Sequence, residues 1–134
     1  MFFSSKQSKT IFSYSVLLAY CAMIFFFSNQ SFDPQKIYFR FNDKVAHFLE
    51  YAVLGILAFQ ALRQWGAGGH IVRAMQYAWI FACLYGLSDE LHQAFVPGRN
   101  SSVADWAFDA MGSLAGILLF RIFFWPVRLQ YGEN

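Results

Sequence analysis

The sequence predicts an all-α integral membrane protein, a bundle of four transmembrane helices. Composition is the first reason, since 57% of the residues are hydrophobic, only 13% are charged, and the mean hydropathy is +0.37. The second reason is that four apolar stretches, each near the ~20 residues a spanning helix needs, alternate with short polar or turn-rich segments. We therefore predict one transmembrane domain over residues 1–134, without a soluble catalytic module.

The first two helices are predicted at about residues 11–27 and 43–62. Lys6 and Lys9 precede the first one, as basic residues precede the hydrophobic core of a signal peptide. Polar residues follow this helix instead of a small-x-small cleavage site, which favours an uncleaved helix; a cleaved signal peptide is the alternative. A polar loop containing Pro34 leads to the second helix, which ends before a glycine-rich turn.

The third and fourth helices are predicted at about residues 74–95 and 103–125. Pro97, with the glycine that follows it, ends the third helix in a tight turn. Either Ser101 or Ser102 is a suitable cap for the fourth helix. The tryptophans are interpreted as anchors at the membrane interface.

The distribution of Lys and Arg predicts the orientation, because cytoplasmic loops retain basic residues. With the amino terminus inside, the cytoplasmic side holds Lys6, Lys9, Arg63, Arg73, Arg121 and Arg128. The opposite side holds Lys36, Arg40, Lys44 and Arg99. This modest bias predicts that both termini are cytoplasmic. The net charge is only +2 and the basic residues are dispersed, so no nucleic-acid partner is predicted.

Most of the acidic residues lie inside or at the ends of the apolar stretches. They are Asp43, Glu50, Asp89, Glu90, Asp105 and Asp109. A charge at the centre of a membrane helix costs about 2.5–3.5 kcal/mol, whereas a hydrogen bond there contributes only about 0.6–2 kcal/mol. Stability alone is a poor reason to retain these acids, so we predict a functional site.

Helical periodicity and topology bring these acids together. The start of the second helix, the end of the third and the start of the fourth meet at one membrane face. Asp43, His47 and Glu50 form one stripe of the second helix.

The third and fourth helices add two further polar stripes. Asp89 and Gln93 share a face of the third helix, and Glu90 is turned about 100° away. The stripe of the fourth helix consists of Asp105, Asp109, Gly112 and Gly116. The two glycines allow a neighbouring helix to approach closely, which brings the carboxylates above them against that neighbour.

Two blocks of the sequence resemble the VanZ-like family of membrane proteins. The first is the run Asp43-Lys44-Val45-Ala46-His47-Phe48, followed by Tyr51 and Leu54. The second is the run Asp89-Glu90-Leu91-His92-Gln93-Ala94-Phe95-Val96-Pro97-Gly98-Arg99, then Asp105 and Gly112. Together they cover about half of the chain. Asp109 departs from the family pattern, which usually carries Asn there.

The resemblance implies a role in the bacterial cell envelope and a location in the bacterial inner membrane. The family's named member is associated with resistance to the glycopeptide antibiotic teicoplanin. Resistance is a phenotype and not a reaction, so the likeness names no activity.

We predict an outward-facing polar pocket that binds an anionic ligand, either a membrane phospholipid or a polyprenyl-linked cell-wall precursor. Its predicted residues are Asp43, Lys44, His47, Glu50, Tyr51, Asp89, Glu90, Gln93, Arg99, Asp105 and Asp109. The guanidinium of Arg99, placed by a rigid turn, suits bidentate phosphate binding, and Lys44 supplies a second cation. The alternative is that Arg99 forms a salt bridge with Asp105 or Asp89.

His47 and Glu50, with Asp89, Glu90 and His92, have permissive spacing for a metal site. The sequence lacks the His-Glu-x-x-His pattern and the paired Glu-x-x-His pattern. We therefore predict neither a metal nor a cofactor, and we favour the interpretation that His47 donates to a carboxylate across a helix pair.

Three functions fit this reading. The first is a binding or shielding protein that limits glycopeptide access to a lipid-linked envelope component. The second is an enzyme acting on a lipid phosphate, with Glu50, Asp89 and Glu90 as candidate catalytic residues. The third is a proton-coupled transporter that uses Glu50 and Asp109 as proton carriers. The oligomeric state is left open.

Overall fold

The computed structural model describes residues 4–30, 40–64 and 70–124. They form four helices: α1 (Ser5–Ser28), α2 (Arg40–Leu62), α3 (Ile71–Gln93) and α4 (Val103–Phe124). All regular secondary structure in these ranges is helical, in agreement with the predicted all-α class. The chain runs up and down through the bundle, so the amino ends of α2 and α4 lie beside the carboxyl ends of α1 and α3.

Three of the helices are long and apolar enough to cross a membrane. They are Ser5–Ser28, Asp43–Leu62 within α2, and Val103–Phe124. The third helix has a comparable length of 23 residues but does not belong to this group. Its mean hydropathy is lowered by glutamines, aromatic residues with polar atoms, and the Asp89-Glu90 pair.

The third helix places its small and polar residues inside the bundle and its large apolar residues outside. The buried positions recur every three or four residues: Ala74, Ala78, Ala82, Gly86, Asp89, Glu90 and Gln93. The exposed positions include Val72, Ile80, Leu84, Leu87 and Leu91. Small buried residues are typical of helix contacts in membranes, where backbones approach closely.

The helix boundaries differ from the predicted ones mainly at α1, which begins at Ser5 and not near residue 11. Ser4 is its N-cap and forms a capping box with Gln7, which extends the helix outward past the two lysines. The third helix ends at Gln93, two residues earlier than predicted. The fourth begins at Val103, as predicted, and the Ser102 hydroxyl accepts the backbone N–H of Ala104 at 3.2 Å.

The closest helix pair is α2 and α4, and glycines determine its spacing. A Cβ atom placed on Gly112 would collide with the backbone carbonyl of Phe48, and one on Gly116 with that of Ala52. Gly55 of α2 lies almost as close to the backbone of Ser113. The predicted close approach at the two glycines of α4 is therefore confirmed, and its partner is α2.

Tryptophans join α3 to α4. Trp79 donates through its indole N–H to the Ala110 carbonyl at 3.0 Å, and Trp106 donates to the Cys83 carbonyl at 2.9 Å. These two side chains connect helices, which the interpretation as interface anchors did not include. The tryptophans at positions 65 and 125 lie outside the described residues.

Candidate functional site: an ionisable cluster at one end of the bundle

The predicted polar stripes converge at the end of the bundle where α2 and α4 begin and α3 ends. Most of the predicted site residues are buried there, namely His47, Tyr51, Asp89, Glu90, Gln93, Asp105 and Asp109. Asp43 is exposed, whereas Lys44, Glu50 and Arg99 are partly buried. We call the buried charged residues, together with Lys44, the ionisable cluster.

The centre of the ionisable cluster is a contact between α2 and α4. The Nδ1 atom of His47 lies 2.9 Å from Oδ1 of Asp109, and these residues are 7% and 0% exposed. With Asp109 ionised, His47 donates this hydrogen bond. The contact joins His47 to a carboxylate across a helix pair, where the sequence interpretation expected one. The second carboxylate oxygen, Oδ2 of Asp109, is buried without a hydrogen-bond partner among the described residues.

A second contact between the same helices lies nearer the end of the bundle. The ammonium of Lys44 is 2.5 Å from Oδ1 of Asp105 and 5.8 Å from the ring centroid of Phe108. Asp105 therefore neutralises Lys44, and the aromatic ring adds a cation–π contact. Both contacts follow from the stripe on α4, because its glycines bring Asp105 and Asp109 against α2.

Arg99 lies on the turn after α3 and contacts the end of α1. Its Nη2 atom donates to the Phe27 carbonyl at 3.1 Å, and Nε donates to the Ser28 carbonyl at 3.3 Å. A guanidinium at this position satisfies terminal helix carbonyls and complements the helix dipole. The predicted alternative was a salt bridge from Arg99 to Asp105 or Asp89; in the described part of the chain Asp105 pairs with Lys44, and Asp89 accepts from Gln93.

The turn that carries Arg99 is tight, as predicted, and a backbone hydrogen bond closes it. The backbone N–H of Arg99 donates to the carbonyl of Val96 at 3.1 Å, which closes a four-residue β-turn. Pro97 occupies its second position and Gly98 its third, with a φ of 81° that favours glycine. This is the arrangement of a type II turn, and it directs the Arg99 side chain towards α1.

The two acids at the end of α3, Asp89 and Glu90, accept hydrogen bonds from different kinds of donor. The Gln93 amide donates to Oδ2 of Asp89 at 2.8 Å, so the residues predicted to share a face do contact each other. Oε2 of Glu90 accepts the backbone N–H of Ser102 at 2.7 Å. Its other oxygen, Oε1, is buried and has no partner among the described residues.

Glu50 and Tyr51 follow His47 along α2 and border the ionisable cluster on the side of the bundle interior. Tyr51 is fully buried, and its hydroxyl has no hydrogen-bond partner in the described part of the chain. Glu50 is half-buried, and its backbone carbonyl accepts the hydroxyl of Tyr20 at 3.1 Å, which attaches α1 to α2.

Sequence reasoning missed Gly86, which lies opposite the centre of the ionisable cluster. A Cβ atom at Gly86 would be 3.0 Å from Oδ2 of Asp109 and 3.1 Å from Cε1 of Tyr51. The glycine thus leaves space beside the unpartnered carboxylate oxygen. The available signal was the four-residue spacing that Gly86 shares with the buried alanines of α3.

Two sets of residues place potential metal-ligand atoms within 4.8 Å of one another. The outer set is Asp43, His47 and Asp105, and the inner set is His47, Glu90 and Asp109. Glu50, Asp89 and His92, which the sequence grouped with His47, belong to neither set. The arrangement is able to hold a cation or to transfer a proton between an imidazole and a carboxylate.

The fold and the site together define a helical membrane protein with an ionisable cluster between its helices. The model of the VanZ/LLP1 family matches residues 2–124. The chain therefore belongs to the VanZ/LLP1 family, as the two sequence blocks predicted. No curated protein and no solved structure matches the chain.

Proposed function

We propose that this VanZ/LLP1 protein is a single-domain protein of the bacterial inner membrane, in which all four helices cross the bilayer. The exposed face of α3 supports the fourth crossing, because its side chains there are large and apolar like those of its neighbours. Twenty-three residues at ~1.5 Å per residue reach ~35 Å, enough for a ~30 Å hydrocarbon core. The modest excess of basic residues at the other end favours cytoplasmic termini and an outward-facing cluster.

The proposed role is the binding of a lipid headgroup that carries a phosphate. The observation that carries this proposal is the fixed placement of two cations at the end of the bundle. Asp105 holds Lys44, and the carbonyls of Phe27 and Ser28 hold Arg99. Both side chains are only partly buried, so a phosphate at the membrane surface has access to them.

The acids of the ionisable cluster restrict the class of ligand. Carboxylates repel a simple anion, but they accept hydrogen bonds from hydroxyl or amino groups. A headgroup that combines a phosphate with sugar hydroxyls or an amine satisfies both requirements. Polyprenyl-linked wall precursors and aminated phospholipids are such lipids. Binding a wall precursor would also limit the access of a glycopeptide antibiotic to it, in line with the resistance associated with the family's named member.

The test is mass spectrometry of the lipids that co-purify with the full chain. We expect a phosphate-bearing lipid with the wild type, and its depletion in Arg99→Ala and in Lys44→Gln, more strongly at high salt. Arg73→Ala is the matched control, because Arg73 is an exposed cation at the opposite end of α3. Identical lipid profiles for all four proteins would contradict the proposal.

The proposed orientation has a separate test. A single cysteine at position 101, in a variant lacking Cys21 and Cys83, should react with an impermeant reagent added outside intact cells. Reaction only from the cytoplasmic side would reverse the orientation and remove the outward-facing site.

An enzyme acting on a lipid phosphate is the second candidate, and the His47–Asp109 contact favours it. A histidine whose Nδ1 is held by a carboxylate is an oriented general base. Purified protein should then release a product from a lipid phosphate, and His47→Gln should abolish release while the lipid remains bound. A lipid that remains chemically unchanged with the wild type would exclude this candidate.

A further inference from the structure

Three helices contribute one residue each to the inner set of the ionisable cluster: His47 from α2, Glu90 from α3 and Asp109 from α4. One nitrogen or oxygen atom of each lies within 4.8 Å of the others. All three residues are buried, with exposures of 7%, 4% and 0%. From this geometry we propose that they form a binding site for a single divalent cation of the Mn²⁺ or Zn²⁺ class.

Unpartnered carboxylate oxygens are the second observation. Oε1 of Glu90 and Oδ2 of Asp109 have no hydrogen-bond partner among the described residues, although each residue pairs through its other oxygen. A buried polar atom without a partner is unfavourable, and a carboxylate oxygen more so than a neutral one. A bound cation satisfies both oxygens and neutralises two carboxylates, and it takes a His47 nitrogen that carries no proton.

The backbone around the inner set leaves room for an ion and fixes one ligand. Gly86 carries no side chain beside Oδ2 of Asp109, where a Cβ atom would lie at 3.0 Å. The N–H of Ser102 donates to Oε2 of Glu90 and so orients this carboxylate. Such outer contacts are typical of metal ligands.

The donor types select the class of cation. One imidazole and two carboxylates suit Mn²⁺ or Zn²⁺, whereas Mg²⁺ and Ca²⁺ prefer ligand sets made of oxygen alone. The outer set is a weaker candidate, because Asp43 is exposed and Asp105 already pairs with Lys44. The inner set has no linear motif, since each ligand comes from a different helix, and for this reason the spacing of residues predicted no metal.

The test uses the purified full chain in detergent, stripped with a chelator and titrated with Mn²⁺ under electron paramagnetic resonance. We expect the wild type to bind one ion per chain, with the nitrogen coupling of one histidine in pulsed spectra. Glu90→Gln and Asp109→Asn should each weaken binding about 10-fold or more. Asp43→Asn, which removes the exposed acid of the outer set, should weaken binding much less than either of these variants.

Gly86→Ala provides a test that alters no ligand. Its methyl group would occupy the space beside Asp109 and should also weaken Mn²⁺ binding. Absence of binding by the wild type, or absence of nitrogen coupling in its spectra, would overturn the proposal without any variant. Binding that Asp43→Asn weakens and Glu90→Gln leaves intact would overturn the choice of the inner set.

Discussion

The two ends of the bundle differ in how their polar side chains are paired. At the end near residue 64, Thr10 donates to Oε1 of Gln64 at 3.3 Å, and Gln64 donates to the hydroxyl of Ser13 at 2.5 Å. These groups are neutral, and each has a partner. At the opposite end several ionisable side chains are buried, namely His47, Asp89, Glu90, Asp105 and Asp109. One carboxylate oxygen of Glu90 and one of Asp109 have no hydrogen-bond partner among the described residues.

The difference lies in the cost of burying these groups. Neutral hydrogen bonds between membrane helices each contribute a modest stabilisation. Buried carboxylates are more costly, and hydrogen bonds offset only part of that cost. The buried acids are therefore the reason that both proposals above concern this end of the bundle.

The largest expected effect comes from breaking the buried pair at the charged end. His47→Ala leaves Asp109 buried without its partner, which should lower the free energy of unfolding by about 3–5 kcal/mol. Denaturation of the detergent-solubilised protein measures this loss.

The double variant His47→Leu, Asp109→Leu sharpens the comparison. Apolar residues of similar volume often replace a buried ion pair without loss of stability. We expect the double variant to regain most of the free energy of unfolding that His47→Ala loses. We do not expect it to regain binding of the proposed ligands. A double variant as unstable as His47→Ala would instead assign the pair a structural role.

The next largest effect is expected at the glycine seam, the contact of Gly112 and Gly116 in α4 with the backbone of α2. Gly116→Ala places a methyl group against the Ala52 carbonyl and should cost about 1–3 kcal/mol through overpacking. Leu118→Ala, on the exposed face of α4, is the control and should be closer to neutral in a detergent micelle. Equal losses in the two variants would show that the glycine seam does not determine the spacing of α2 and α4.

A smaller effect is expected at the neutral end. Gln64→Ala removes the hydrogen bonds to Thr10 and Ser13, and membrane hydrogen bonds of this kind contribute only about 0.6–1.7 kcal/mol. The same unfolding assay measures the loss, and Gln76→Ala, at an exposed position of α3, is the control. A loss as large as that of His47→Ala would remove the contrast between the two ends.

The smallest effect is expected at the partly exposed Lys44–Asp105 contact. Lys44→Met should change the free energy of unfolding by about 1 kcal/mol or less, because 38% of the Lys44 side chain is exposed and solvent screens its contact with the buried Asp105. The salt dependence of unfolding should decrease in the variant. A loss of several kcal/mol would mean that this contact is buried in the membrane.

Much of the fold was predictable because hydropathy and turn residues are local signals. The four helices, the Pro97 turn and the glycine stripe of α4 all follow from residues close together in the sequence. The start of α1 was not predicted, since a capping box at Ser4 extends the helix beyond its apolar part.

The sequence predicted that the acids of three helices lie at one end of the bundle. It did not predict which side chains pair with one another there. Periodicity placed the acids of three helices at one end of the bundle. The choice of Lys44 and not Arg99 as the partner of Asp105 depends on the rotation and depth of α2 against α4, which a single sequence does not specify. Gly86 was missed for the same reason, because its importance lies in what faces it across the helix contact.

Three hydrogen bonds join α1 to α3 and to the turn through the main chain of α1. The hydroxyl of Tyr85 donates to the Cys21 carbonyl at 2.6 Å, and Arg99 donates to the carbonyls of Phe27 and Ser28. Every amino acid presents the same carbonyl at these three positions. A substitution at the exposed Phe27 therefore keeps the carbonyl that Arg99 binds, whereas Cys21 and Ser28 are buried and their side chains are also constrained by packing.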